Sequence, residues 1–251
     1  MNDENRLYDT LARLRFFASL PHECGYLDDE EAVTLFVDPA LRLDMATYGV
    51  LARAGFRRSG EHVYRPHCGR CRACIPVRIP VAGFRPDRSQ RRCLARNADV
   101  SLTIRPGVFE EEHFRLYRRY MQARHPGGSM DDDDPAIYRR LIGSAWSETL
   151  LYEFRTGPHL LGVAIVDRMP DSLSAVYTFF DPAESRRSPG TLAVLKQIEQ
   201  ARAEGLRYVY LGFWNPRSEK MAYKNRYQPL EYYDGQAWRE EPPGDVVAEF
   251  R

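Results

Sequence analysis

The strongest constraint on the fold lies between residues 150 and 213, where three apolar runs, one amphipathic run and a fourth apolar run follow one another. Leu150 to Phe154, Leu160 to Arg168 and Ser174 to Phe180 are short and read as antiparallel strands. Thr191 to Glu204 places Leu192, Leu195, Ile198 and Ala201 on one helical face and stops at Gly205. Leu206 to Phe213 then reads as a buried strand. Ahead of them, Glu110 to Arg124 is an amphipathic helix, with Phe114, Tyr117 and Met121 on one face and three acids in its first turn, where the helix dipole favours them. This order predicts an α+β layer, helices packed on a mostly antiparallel sheet.

The first hundred residues carry shorter elements. Thr47 to Ala54 reads as a helix ended by Gly55, and Phe56 to Arg65 as two strands around Ser59-Gly60. Ile75 to Val81 alternates like a strand, and its two prolines, lacking N–H donors, push it towards a sheet edge. Ser89 to Ala95 starts a helix capped by Asp87 or Ser89. The stretch Arg105 to Val108 is the expected boundary between a smaller Cys/Arg-rich domain, 1–104, and a second domain, 105–251.

The formal net charge is +1, yet charge is unevenly placed. From Arg53 to Arg96 there are twelve arginines, and the only acids are Glu61 and Asp87. Guanidinium groups bind phosphate and carboxylate through a planar fork, so this half is suited to either partner. No apolar run approaches the ~20 residues that span a bilayer, and MNDENRLYDT is too polar for a secretory leader, so a cytoplasmic protein is expected. Cysteines there stay reduced, which turns attention to metal or redox roles.

Cys68, Cys71 and Cys74 follow a C-x2-C-x2-C spacing that brings soft ligands together, and Cys24 in the Cys24-Gly25 turn would supply a fourth. Zn2+ or an Fe–S cluster suits such a set; free, partly buried thiols are the alternative. Cys93 reads as structural. Gly212 to Asn225 leaves a buried strand for a polar loop, a place where functional groups are often held. A helical turn there would group Lys220, Tyr223 and Lys224 on one face. The run Asp131 to Asp134 reads as a solvated loop rather than a metal site. There is no G-x-S-x-G, Walker loop or H-E-x-x-H pattern.

Together, CGYL, FRRSGEHVYRPHCGRCRACIPVRIPV and FRPDRSQRR resemble the N-terminal part of the arginyl-tRNA–protein transferase family. VYTFFDP, YVYLGFW and EKMAYKNRYQPLE resemble its C-terminal part. The pattern is most similar to the bacterial aspartate/glutamate leucyltransferases. It implies an acyl-CoA N-acyltransferase-like second half. It also implies an aminoacyltransferase that moves leucine from leucyl-tRNA to proteins beginning with Asp or Glu and marks them for N-end rule degradation. No cofactor is required for that transfer. Where eukaryotic members carry a C-x2-C pair, this chain has Cys24-Gly25-Tyr26-Leu27, and where they carry adjacent cysteines it has Ala73-Cys74. Under this reading Arg78, Arg85, Arg91 and Arg92 would bind the acidic acceptor side chain. Lys220, Lys224 and Arg217 would hold tRNA phosphates or the aminoacyl end. Tyr223 or backbone N–H groups near Gly212 would face the oxyanion, with Lys220 beside them. The competing expectations are a CoA-dependent N-acetyltransferase and a non-catalytic N-degron or RNA-binding module. Arg187-Ser188-Pro189-Gly190 keeps only part of a CoA pyrophosphate loop, and its proline removes a donor.

Overall fold

The computed structural model describes residues 11–124 and 134–244. The chain opens with β1 (Phe16–Ala18), β2 (His22–Glu23), β3 (Glu31–Ala32) and β4 (Thr34–Val37). These short strands were not legible in the sequence. Helix α1 (Met45–Arg53) follows, its first turn capped by Asp44 accepting from the Thr47 amide. β5 (Arg57–Ser59) and β6 (His62–Pro66) form the expected hairpin around Ser59-Gly60. β1, β4, β6 and β5 make a four-stranded sheet, and β2 pairs with β3.

The large sheet has eight strands. β7 (Ile75–Pro80) comes next in the chain, followed by α2 (Arg88–Arg96), β8 (Ser101–Pro106), α3 (Glu111–Arg124) and α4 (Pro135–Ile142). β9 (Thr149–Thr156), β10 (His159–Met169) and β11 (Ser172–Phe180) form the predicted antiparallel meander. A 3-10 turn (Pro182–Arg187) leads to α5 (Pro189–Ala203), and α5 returns the chain to β12 (Tyr208–Trp214), which runs parallel to β11. α6 (Glu219–Ala222), a 3-10 turn (Tyr223–Arg226), β13 (Glu231–Tyr233) and β14 (Trp238–Arg239) complete it. The spatial order is β14-β13-β7-β12-β11-β10-β9-β8. Helix, antiparallel strands, crossover helix and strand are the order expected for the acyltransferase-like half.

Both faces of this sheet are covered by helices, and successive residues of its central strands pack on opposite sides. Leu151, Val163, Ile165 and Phe179 pack beneath α3 and α4 with Phe114, Tyr117 and Met121. Tyr152, Ala164 and Val166 pack on the other face with Leu192, Leu195 and Ile198 of α5. α4 starts at Asp134, which caps the Ala136 amide; the acid run before it, Asp131 to Asp133, lies outside the described residues.

The first half departs from expectation in two places. β7 is not at an edge: it lies between β12 and β13. β13 covers only Val77 and Arg78, between the two prolines, so neither proline faces that neighbour as a missing donor. The expected boundary at 104/105 falls inside β8, and β7 together with α2 belongs to the layers of the large sheet.

The small sheet is joined to the large one through Arg58. Its guanidinium grips Asp167 of β10 at 2.6 and 2.7 Å, with both side chains at 0% exposure. Arg58 also donates to Gly60 O and Thr149 Oγ1, and the Arg58 amide donates to Tyr48 Oη.

Candidate active site

β11 and β12 pair only at their first residues, Ser172–Ser174 against Tyr208–Tyr210. Beyond that they part, and β12 is irregular between Tyr210 and Gly212, where Gly212 takes φ +75°. The opening is filled from below by Arg57. Successive residues of a strand face opposite ways, so while Arg58 turns into the buried ion pair, Arg57 turns towards the opening. Arg57 Nη2 donates to Val176 O of β11 at 2.8 Å, and its guanidinium lies near the Phe213 ring, 5.9 Å from the centroid. A Cβ at position 212 would meet Arg57 Nη1 at 2.7 Å; glycine is what lets the guanidinium lie against β12.

Above this point is a cleft of 630 Å³ lined by Tyr26, Tyr64, Tyr177, Phe213 and Met121 with Lys220 and Cys74 among its other walls. Tyr177 Oη donates to Met121 Sδ, and the Tyr64 and Phe213 rings meet edge to face. Among the described residues no aspartate or glutamate lines the cleft.

The loop after β12 supplies the remaining polar groups. Lys220 is exposed on the cleft wall. Tyr223 is 44% exposed, yet the walls around it desolvate its phenol and push it above its ordinary value, against the opposing effect of Arg57. It therefore stays protonated at neutral pH, able to donate. Lys224 does not share their face: it is 7% exposed and donates from Nζ to Phe213 O at 2.5 Å. The turn changes from α to 3-10 at residue 223, which rotates Lys224 inward. In this position it cannot reach a tRNA phosphate. Burial, reinforced by Arg57, pulls its amine down to about 7.

A lysine with a depressed folded value is protonated in the unfolded chain and neutral in the folded one across the window from about 7 to 10.5. The unfolded chain then binds more protons, so stability rises with pH through that window. Urea titrations at about pH 7 and ~9.5 should show this rise for the wild type and a smaller one for Lys224→Met; equal rises would refute the buried amine.

The other expected site residues lie apart. Arg78 is buried between Tyr208 and Trp238, 3.7 and 4.2 Å from their ring centroids, and is paired with Glu231 at 2.6 Å. Its fork is taken, so it is not a receptor for an acceptor carboxylate. Arg85 and Arg91 are exposed and donate to the local carbonyls of Phe84 and Pro86, and Arg92 is exposed on α2; none lines the cleft. Arg217 pairs with Glu30 at 3.0 Å.

Cys24, Cys68 and Cys74 line the main cleft, and all three meet Cys71 along a second cleft of 350 Å³ with His67 and Glu30. All five cysteines are free. Cys74 accepts from Asn215 Nδ2 at 3.6 Å, and burial raises its thiol to about 12, so it is held as the thiol. Among the described residues no three His, Cys, Asp or Glu side chains converge on a point where they would hold an ion. As placed, the four thiols share a wall and do not fit a Zn2+ or cluster site. Cys93 is buried against the Arg187 and Ser188 carbonyls.

Residues 22–92 match the family described as arginine-tRNA-protein transferase, N terminus, and residues 112–234 match its C terminus. An aspartate/glutamate leucyltransferase of Nitrosococcus oceani is 53% identical over 89% of this chain and 94% of its own. The chain belongs to the arginine-tRNA-protein transferase family. A Pseudomonas putida relative of the same name is 49% identical over 91% of this chain and 97% of its own. Among solved structures, the crystal structure of FemX is similar at 8% identity and a TM-score of 0.49, covering 96% of this chain and 92% of that one.

In this member of the family the start of α5 is not arranged to cradle a pyrophosphate. Pro189 stands at its first position and Ser188 before it is left-handed, φ +57°. Arg187 is paired with Asp99 and Glu184. Its carbonyl accepts from Asn97 Nδ2, which seats the loop on α2. Among the described residues no helix is long and apolar enough to cross a membrane.

The basic and aromatic run Phe56-Arg57-Arg58 and Tyr64-Arg65 reads from sequence as a binder of phosphates or of a substrate carboxylate, whereas Tyr26, Tyr177 and Met121 are not legible there as cleft residues. The signal for Arg57 was present: two adjacent arginines in a short strand place one on each face.

Proposed function

We propose that this chain transfers leucine from leucyl-tRNA to the α-amine of proteins beginning with Asp or Glu, marking them for degradation. The observation that carries the reading is an aromatic cleft, without an acid among its described residues, opening where β11 and β12 part, in a chain about half identical to proteins named for this reaction. Apolar and aromatic walls suit a leucyl side chain and a stacked terminal base. The ester of the charged tRNA is already activated. An acceptor α-amine, with an ordinary pKa of ~7.7–8.0, is partly neutral in the cell. It attacks the ester carbonyl; the new C–N bond forms, the bond to the ribose oxygen breaks, and the amine proton ends on that oxygen. The Tyr223 hydroxyl, held as a donor, serves the oxyanion or the departing oxygen. Lys220 stands on the cleft wall for the last phosphate.

Exposed Arg85, Arg88, Arg91 and Arg92 form a basic face at α2. Gln90 Nε2 donates to Arg226 O, so this face adjoins the loop carrying Tyr223. It is suited to the phosphates of the tRNA body. Replacing Arg88, Arg91 and Arg92 by Glu should weaken leucyl-tRNA binding and lower the salt slope by roughly 0.7–0.9 for each phosphate no longer neutralised. Binding isotherms over a salt series check this, and an unchanged slope rules the face out.

The reaction itself is tested by incubating the protein with leucyl-tRNA, arginyl-tRNA or acetyl-CoA and a peptide beginning with Asp. Mass spectrometry should show leucine added. Addition of acetyl, or binding without addition, would overturn the reading.

A further inference from the structure

We propose that Arg57 is the specificity residue of the acceptor site, the group that binds the acidic side chain of the protein N-terminus; this rests on the transfer reaction above. Arginines that could compete for the role are already engaged. Arg58 is paired with Asp167, Arg53 with Asp171, Arg78 with Glu231 and Arg217 with Glu30. Arg65 donates to Ala54 O and stacks on Phe56. Arg57 is different. It is half-buried, its one hydrogen bond goes to a neutral carbonyl, and among the described residues no carboxylate pairs with it.

A desolvated guanidinium without a counter-charge is costly unless something supplies one. Lys224 repeats the pattern nearby: a buried amine that again donates to a backbone carbonyl. Among the described residues the cleft above them has no acid in its walls. A half-buried guanidinium with no carboxylate partner among the described residues, beside a cleft whose described walls hold no acid, makes a site that is completed by a negative charge from outside. Tyr26, Tyr64 and Phe213 wall the cleft, and the Arg57 guanidinium lies near the Phe213 ring, so the ligand is partly enclosed. Gly212, by lacking a Cβ, keeps the guanidinium in the opening between the strands. A carboxylate on the residue whose α-amine is to react meets these requirements. An amide in its place would bring an NH2 donor against a donor fork and leave the cation uncompensated. Arg57 would thus separate Asp and Glu from Asn and Gln by charge at one position, and a cleft of 630 Å³ has room for the extra methylene of Glu.

The test uses the full chain, wild type, Arg57→Gln and Arg57→Lys, with peptides that begin with Asp or Asn and are otherwise identical. Peptide binding by fluorescence anisotropy and leucine transfer from saturating leucyl-tRNA are both measured. Arg57→Gln should cut the Asp-over-Asn preference roughly a hundredfold in both measurements, leave leucyl-tRNA binding within about twofold, and lose the Asp peptide rather than gain the Asn one. Arg57→Lys, which keeps the charge without the fork, should retain an intermediate preference. A preference unchanged in Arg57→Gln, or Asp and Asn peptides weakened by the same factor, overturns the assignment. If the wild type moves no leucine while Arg57→Gln still erases the binding preference, the transfer reading fails and the assignment stands.

Discussion

An Arg58→Met variant should lose about 3–5 kcal/mol of stability, seen as a lower urea midpoint with an unchanged slope. The figure follows from what remains. Asp167 is fully buried, and without Arg58 it keeps only the Thr149 hydroxyl, which donates to Oδ1 at 2.7 Å. An uncompensated carboxylate in that place either stays charged at high cost or takes up a proton. The companion variant decides the cause. Arg58→Met with Asp167→Leu removes both charges and should recover most of the loss, because a buried pair is expensive to break and cheap to replace as a whole. If the double variant is as unstable as the single one, the ion pair is not the source. Because Arg57 is the next residue, the recovered double variant also asks whether the pair is needed to aim Arg57 or only to hold the sheets together.

Gly212→Ala should lower leucine transfer on the order of a hundredfold while costing only about 1–3 kcal/mol of stability. At φ +75° an alanine is strained, which accounts for the stability term. The activity term is separate. The new Cβ meets Arg57 Nη1 at 2.7 Å, and since that atom ends a long side chain, Arg57 moves away rather than β12. The chain stays folded with its guanidinium displaced from the opening. Steady-state transfer with an Asp peptide and urea denaturation of the same preparation separate the two effects. Activity falling only in proportion to stability would show that the glycine serves the backbone alone.

The sheet was legible where its pattern is local. Phe114, Tyr117 and Met121 on α3, and Leu192, Leu195 and Ile198 on α5, declare their faces by helical spacing, and the structure buries them. Asp87 announced the start of α2, and Gln90 completes its capping box. What failed was non-local. The prolines of β7 argued for an edge because the sequence does not reveal that β13 covers only the two residues between them. Strands of two to four residues, such as β2 and β4, are shorter than any period that could betray them.

The site followed the same rule. The exit of β12 was visible as a strand running into a polar loop, and Gly212, Lys220 and Tyr223 are found there. Arg78 and Lys224 were misjudged because a charged side chain does not carry its partner in its own sequence neighbourhood. Glu231 lies far along the chain from Arg78, and a change of helix type turned Lys224 inward. Arg57 was one of twelve arginines in its stretch, and its distinction is a missing partner, a property visible only in three dimensions.

The position of β7 has a consequence for how the protein is made. Ile75–Pro80 is synthesised well before the strands on either side of it, Tyr208–Trp214 and Glu231–Tyr233. Until they leave the ribosome, a strand with alternating buried residues has no neighbour on either flank, an aggregation hazard that shorter-range topologies avoid. Its prolines at positions 76 and 80 remove two of the donors by which a foreign strand would attach. Residues that misled the reading of the finished sheet are thus well suited to protect the unfinished one.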